Sequence, residues 1–185
     1  MQNKPTLLDA AEEVAEILHA NQIGAVVIGA AAMAAHHYVR LTHDIDLGVN
    51  ASLQQLRLIE NALTQARFTA ELREPDGQDP LGGVIDVTGS FGLVQIISFA
   101  DRFPAAIDDA LQTATTCIRP NSVLKLIPLP QLVALKLYAG GLKSKADIAE
   151  LLLRNPEADL DEIRQTCNRY RLNGLDAILT ELPSE

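Results

Sequence analysis

The sequence predicts an α+β fold, a mixed β-sheet flanked by helices with a helical lobe at the C-terminus. Two observations predict it. Up to about residue 128, short runs rich in β-branched residues alternate with amphipathic helical stretches. Beyond Pro128 the remaining segments have helical periodicity and none reads as a strand. The change divides the chain into an α/β core, residues 1–128, and a helical lobe, residues 129–185.

Each element has a local reason. Thr6 to Ala20 reads as an amphipathic helix with Thr6 as N-cap, Glu12 and Glu13 lying on the wet side of Leu7, Leu8, Ala11, Val14 and Leu18. Ile23 to Ile28 is a short apolar run that reads as a buried strand ending at Gly29, and Ala30 to His37 is an Ala-rich short helix. Asp44 to Val49 alternates acidic and apolar residues, so it is a strand with two distinct faces. Ser52 caps a helix running to about Arg67, and Phe68 to Leu72 is a further strand. Glu74 to Leu81, holding Pro75, Asp76, Gly77, Asp79 and Pro80, is a loop. Gly83 to Val87 and Gly92 to Phe99 form a hairpin around Thr88 to Phe91. Pro104 to Thr113 is helical, and Cys117 to Ile118 and Val123 to Ile127 are short strands on either side of a turn at Pro120 and Asn121. The lobe holds helices at Leu132 to Ala139, Lys145 to Arg154, Leu160 to Arg171 and Leu175 to Leu182.

Composition narrows the function. Of 185 residues, 48% are hydrophobic but only 4% aromatic and none is Trp, so aliphatic side chains and Ala must fill the core. No apolar run approaches the ~20 residues that span a bilayer, and Met1 to Pro5 lacks the layout of a signal peptide. The expectation is a cytoplasmic protein with no membrane partner. Cys117 and Cys167 are far apart with no CxxC spacing, which argues against a disulfide framework or a zinc site. A formal net charge of −9 argues against DNA binding. An oligomer is compatible with this composition.

The informative stretch runs from Val27 to Val49. Residues two apart in a strand share a face, so Asp44 and Asp46 project together while Ile45 and Leu47 face the core. Two adjacent carboxylates raise each other's pKa unless a cation lies between them. A hard, oxygen-seeking ion, Mg²⁺ or Mn²⁺, resolves that conflict. Upstream, Gly29 ends a strand and opens a helix, and with the small Ala30 it lets a bulky anion approach the backbone. Together the two halves make a phosphate cradle and a metal-binding acid pair within one βαβ-like unit. The plain alternatives are a tight turn without ligand and a wet edge strand. His43 adjoins the pair but should point opposite to Asp44, giving it a packing or surface role.

These residues resemble the nucleotidyltransferase superfamily that includes DNA polymerase β. The shared pattern is an apolar residue, Gly and a small residue, here Ile28, Gly29 and Ala30, then a helix and an apolar-flanked D-x-D, here Asp44-Ile45-Asp46. The R-x-T-x-D-I-D wording of Arg40 to Asp46, and Leu132 to Leu152, look most like the small bacterial branch that includes AbiEii-type toxins. The resemblance spans roughly residues 23–152 and implies metal-dependent transfer of a nucleotidyl group from an NTP to an acceptor, whether small molecule, RNA or protein. It implies Asp44 and Asp46 as catalytic metal ligands and Gly29 and Ala30 as the phosphate turn. Arg40, Thr42 and Lys136 become candidate nucleotide contacts. The plain alternatives are a surface Arg, a strand-entry Thr and the solvent-facing Lys of an amphipathic helix.

Three departures bear on activity. Ala30 stands where Gly or Ser is usual. The branch's R-x-K-D element reads as Gly141, Leu142, Lys143 and Ser144, without its Arg and Asp. The family's third catalytic carboxylate is matched by context at Gln95, with Asp86 as the other candidate one strand earlier. Gln offers a carbonyl oxygen but no charge and no base. A catalytically degenerate relative, binding nucleotide or a protein partner, is therefore the alternative function, and the AbiEii likeness adds a toxin–antitoxin setting.

Overall fold

The computed structural model describes residues 5–76 and 80–182. Its elements run α1 (Leu7–Ala20), β1 (Ala25–Ile28), α2 (Gly29–Ala35), β2 (Asp44–Val49), α3 (Leu53–Gln65), β3 (Thr69–Arg73), β4 (Gly83–Gly89), β5 (Gly92–Ser98), α4 (Pro104–Thr113), β6 (Lys125–Leu126), α5 (Leu129–Ala139), α6 (Gly141–Arg154), α7 (Leu160–Arg169) and α8 (Leu175–Glu181). The six strands form one sheet in the order β3-β4-β5-β2-β1-β6, so β2, which carries the acid pair, is central. Pairing is mixed: β2 with β5 and β1 with β6 run parallel, and the other neighbours run antiparallel. This is the expected α+β fold with its C-terminal helical lobe.

Local chemistry sets the ends of these elements. Thr6 and Ser52 cap α1 and α3 through reciprocal capping boxes with Asp9 and Gln55. Pro104 opens α4, where its missing N–H leaves no donor unsatisfied. Gly140, at φ +67°, separates α5 from α6.

The sheet's two faces differ. One is sealed by α1 and α3, with Val14, Leu18, Leu56, Ile59 and Leu63 packed on Ile45, Leu47, Ile85, Val94 and Ile96. On the other face, α2, α4 and α5 cover β1 with a cluster that includes Val26, Ile28, Met33, Ile107, Leu132 and Leu135. Gly48 admits α4 here, because a Cβ on it would meet Ile107 Cδ1 at 2.8 Å. A third cluster joins α5 to α6, α7 and α8 through Val133, Ala134, Ile148, Ile163, Cys167 and Ile178. Helix α5 therefore packs on both sides, which is why its sequence is apolar nearly all round.

Two expectations change. The strand–helix–strand unit of β1, α2 and β2 is not a parallel βαβ, because β1 and β2 are antiparallel neighbours, with Ile28 opposite Asp46. The short connection explains it: a parallel crossover needs a dozen or more residues and a helix laid along the sheet, and α2 has only 7 residues. Cys117 makes an isolated bridge to Lys125 rather than a strand. The loop expected at 74–81 falls in part on residues 77–79, which lie outside the described residues.

Leu47, which follows Asp46 on β2 and points to the opposite face, is fully buried. Leu47→Ala is expected to destabilise the protein by about 2–5 kcal/mol, the usual range for a core cavity. Urea denaturation measures it.

Candidate active site

The period of β2 puts Asp44 and Asp46 on the face opposite the sealed core. Register extends that face across the sheet. Asp46 lies opposite Ile28 on β1 and opposite Gln95 on β5, and Gln95 lies opposite Asp86 on β4. Gln95 is thus the direct neighbour of Asp46, while Asp86 sits two strands away from it, at ~10 Å given the usual strand spacing. Gln95 Nε2 donates to Asp86 Oδ1 at 2.6 Å. Arg73 holds the same carboxylate, its Nε donating to Oδ2 at 2.7 Å. Burial pushes the Asp86 carboxyl up, but the bonds from Arg73 and Gln95 outweigh it and leave the group below the ordinary carboxylate range.

Asp46 is the perturbed acid of the pair. Burial first, then the charge of Asp44, raise its carboxyl to about 6 against the pull of Lys136. The desolvation has a visible source. Gly29, at φ +63°, lies so close that a Cβ on it would fall 1.8 Å from Asp46 Oδ2. The glycine serves both its left-handed backbone and the room for this carboxylate. Asp44 is held from its own strand entry, where the Thr42 hydroxyl donates to its Oδ1.

One cleft of about 410 Å³ gathers Gly29, Ala30, Arg40, Thr42, Asp44, Asp46 and Lys136. His43 also lines it. A second cavity of about 230 Å³, walled by Ile28, Leu81, Ile97, Phe99, Leu132 and Tyr138, adjoins the cleft through Gly29, Asp46 and Lys136. Lys136 is not the solvent-facing lysine of an amphipathic helix. It is the one charged residue of the apolar α5, and its Nζ donates to Asp147 Oδ2 at 2.8 Å. Arg40 is likewise not a free surface residue: its Nη1 donates to both oxygens of Asp147, at 2.8 and 3.0 Å.

Asp147 escaped the sequence reading. It lies on α6, and its side chain is only 4% exposed. The signal was present, because Asp147 shares the buried stripe of α6 with Ile148, Leu151 and Leu152, where an acid is out of place without a partner.

The donor set fits a hard divalent cation: two carboxylates that line one cleft from the same strand. Among the described residues no group of three or more His, Cys, Asp or Glu side chains is gathered as a metal cage. A cation held here would complete its shell with water, or with phosphate oxygens when a nucleotide is bound.

Solved structures share this architecture. An antigenic nucleotidyltransferase-like protein from Paracoccidioides brasiliensis superposes with a TM-score of 0.53 at 18% identity, over 97% of this chain and 94% of that one. The antibiotic-resistance factor ANT(2'')-Ia, crystallised in complex with adenylyl-2''-tobramycin, superposes with a TM-score of 0.54 at 10% identity, over 88% of this chain and 95% of that one. Its solution structure gives 0.52 at 13% identity, over 86% and 88%. The fold is that of the nucleotidyltransferases. No family model matches the sequence, and no curated protein does. Within the nucleotidyltransferase fold, the acid pair sits on the central strand and Lys136 and Asp147 come from the helical lobe. No helix among the described residues is long and apolar enough to cross a membrane.

The raised carboxyl of Asp46 has a thermodynamic consequence. A group whose folded pKa lies near 6 against 3.8 unfolded contributes its stability below the lower value and loses it as pH rises through the higher one. Asp46→Asn is therefore expected to stabilise the metal-free protein by on the order of 1–2 kcal/mol near neutral pH, and by little near pH 4. Urea denaturation at both pH values in the presence of a chelator measures it, and equal effects at the two values would count against the desolvated carboxylate.

Proposed function

We propose that this protein binds a nucleoside triphosphate with Mg²⁺ or Mn²⁺ and transfers its nucleotidyl group to an acceptor, slowly. The observation that carries the reading is the convergence of Asp44, Asp46, Arg40, Thr42 and Lys136 on one cleft at the Gly29 turn. Asp44 and Asp46 would hold the cation, which supplies neutralisation of the charge that builds on the phosphate oxygens during transfer. Lys136 offers an ammonium to the phosphates from the buried face of α5. Gly29 and Ala30 keep side chains out of the path by which phosphate reaches the backbone. The R-x-T-x-D-I-D wording supports placement beside the AbiEii-type branch.

In the transfer, an acceptor oxygen bonds to the α-phosphorus, the bond to the leaving pyrophosphate breaks, and the acceptor's proton must go to a base. Gln95, beside Asp46, has no basic oxygen. Asp86 is spent on Arg73 and Gln95. This arrangement favours nucleotide binding over rapid transfer, and it supports a second reading in which the chain binds nucleotide without transferring it.

The test is incubation of the protein with each α-labelled NTP and Mg²⁺ or Mn²⁺, following label into RNA, protein and small molecules. Wild type is expected to bind the nucleotide and to label acceptors weakly. Gln95→Asp is expected to raise labelling by about 10²-fold or more, the range of a restored general base, and Asp86→Asn to change it little. Asp86→Asn abolishing transfer while Gln95→Asp is neutral would make Asp86 the third carboxylate. Binding with no transfer in either protein would favour the second reading.

A further inference from the structure

Lys136 stands between two sets of anions. On one side is Asp147, bonded to its Nζ at 2.8 Å. On the other are Asp44 and Asp46, which line the same cleft. Arg40 also belongs to that cleft and is also bonded to Asp147. One nearly buried carboxylate from α6 therefore holds two cations, one from α5 and one from the loop that carries Thr42 into β2. Such an acid is not explained by stability: burying a charge and its partners is usually neutral at best against an apolar replacement. Its position gives it another use.

We propose that Asp147 is a positioning residue that holds Lys136 off Asp46 and so keeps the acid pair open to a divalent cation. The inference rests on the reading of Asp44 and Asp46 as metal ligands. Without Asp147, the Lys136 ammonium, with its side chain only 19% exposed, is left without its anion. A half-buried cation must find another. The carboxylates within its own cleft are Asp44 and Asp46, and a flexible four-carbon stem lets the ammonium turn to them. A lysine bonded to Asp46 occupies the oxygen that a metal ion would use. Arg40 is less constrained, its side chain being 29% exposed, and can turn to water instead. The same contact links the helical lobe to the sheet, because Asp147 on α6 fixes Lys136 on α5 against a site built on β2.

The test measures Mn²⁺ affinity by electron paramagnetic resonance, in the absence of nucleotide, for wild type, Asp147→Asn, Lys136→Met and the double variant, with thermal unfolding as a check on folding. Asp147→Asn is expected to weaken Mn²⁺ binding by about tenfold although no metal ligand has changed, as loss of an outer contact commonly does. Adding Lys136→Met is expected to restore most of that loss. A merely structural Asp147 would give no rescue, because removing a second side chain from a damaged site does not repair it. Unchanged affinity in Asp147→Asn, or a double variant as weak as the single one, overturns the proposal. Should Asp147→Asn fail to fold, Lys136→Met alone decides: the proposal expects affinity equal to or tighter than wild type, and a tenfold loss overturns it. No Mn²⁺ binding by wild type overturns the reading of the acid pair, and this inference with it.

Discussion

Two like charges on one face of a central strand constrain the rest of this molecule. Asp44 and Asp46 share that face because strand side chains alternate, and β2 cannot be moved out of the sheet without exposing Ile45, Leu47 and Val49. Burial then makes the conflict worse for Asp46, whose carboxylate packs onto the bare backbone of Gly29. The surroundings answer the repulsion in two ways. Thr42 donates to Asp44 from within the same strand entry. From further away, the helical lobe brings up Lys136, whose charge draws the Asp46 carboxyl back down.

The lobe can do this because α5 is buried on two sides. Its apolar residues belong to the cluster under β1 on one side and to the cluster with α6, α7 and α8 on the other. A helix so packed has little freedom to rotate, which fixes the side from which its single lysine enters the cleft. Asp147 completes the arrangement from α6. The chain thus assembles its site from segments about a hundred residues apart, Gly29 to Asp46 on one side and Lys136 to Asp147 on the other.

The sequence made much of this legible where a single local rule dominates. Strand β2 and helix α4 begin and end where alternation and Pro104 place them. The capping boxes at Thr6 and Ser52 fix the starts of α1 and α3. The acid pair was visible as a strand pattern. Pairing was not, because whether β2 lies antiparallel to β1 depends on how a seven-residue helix folds back, a tertiary matter. The ranking of Gln95 and Asp86 needed register, since both lie on strands of correct apolar context and only cross-strand pairing shows which adjoins Asp46. Lys136 and Asp147 form an ion pair across two helices. Their sequence signals, a lone cation in an apolar helix and an acid on a buried stripe, became informative only together.

The claim at the centre of this account is that the Asp44–Asp46 pair is a cation site rather than a wet edge. Calorimetric titration of Mn²⁺ into wild type and into Asp44→Asn/Asp46→Asn tests it directly. The account predicts measurable binding by wild type, loss of that binding in the double variant, and a metal-free variant at least as stable as wild type because the like-charge repulsion is gone. Equal Mn²⁺ affinity in the two proteins would contradict it.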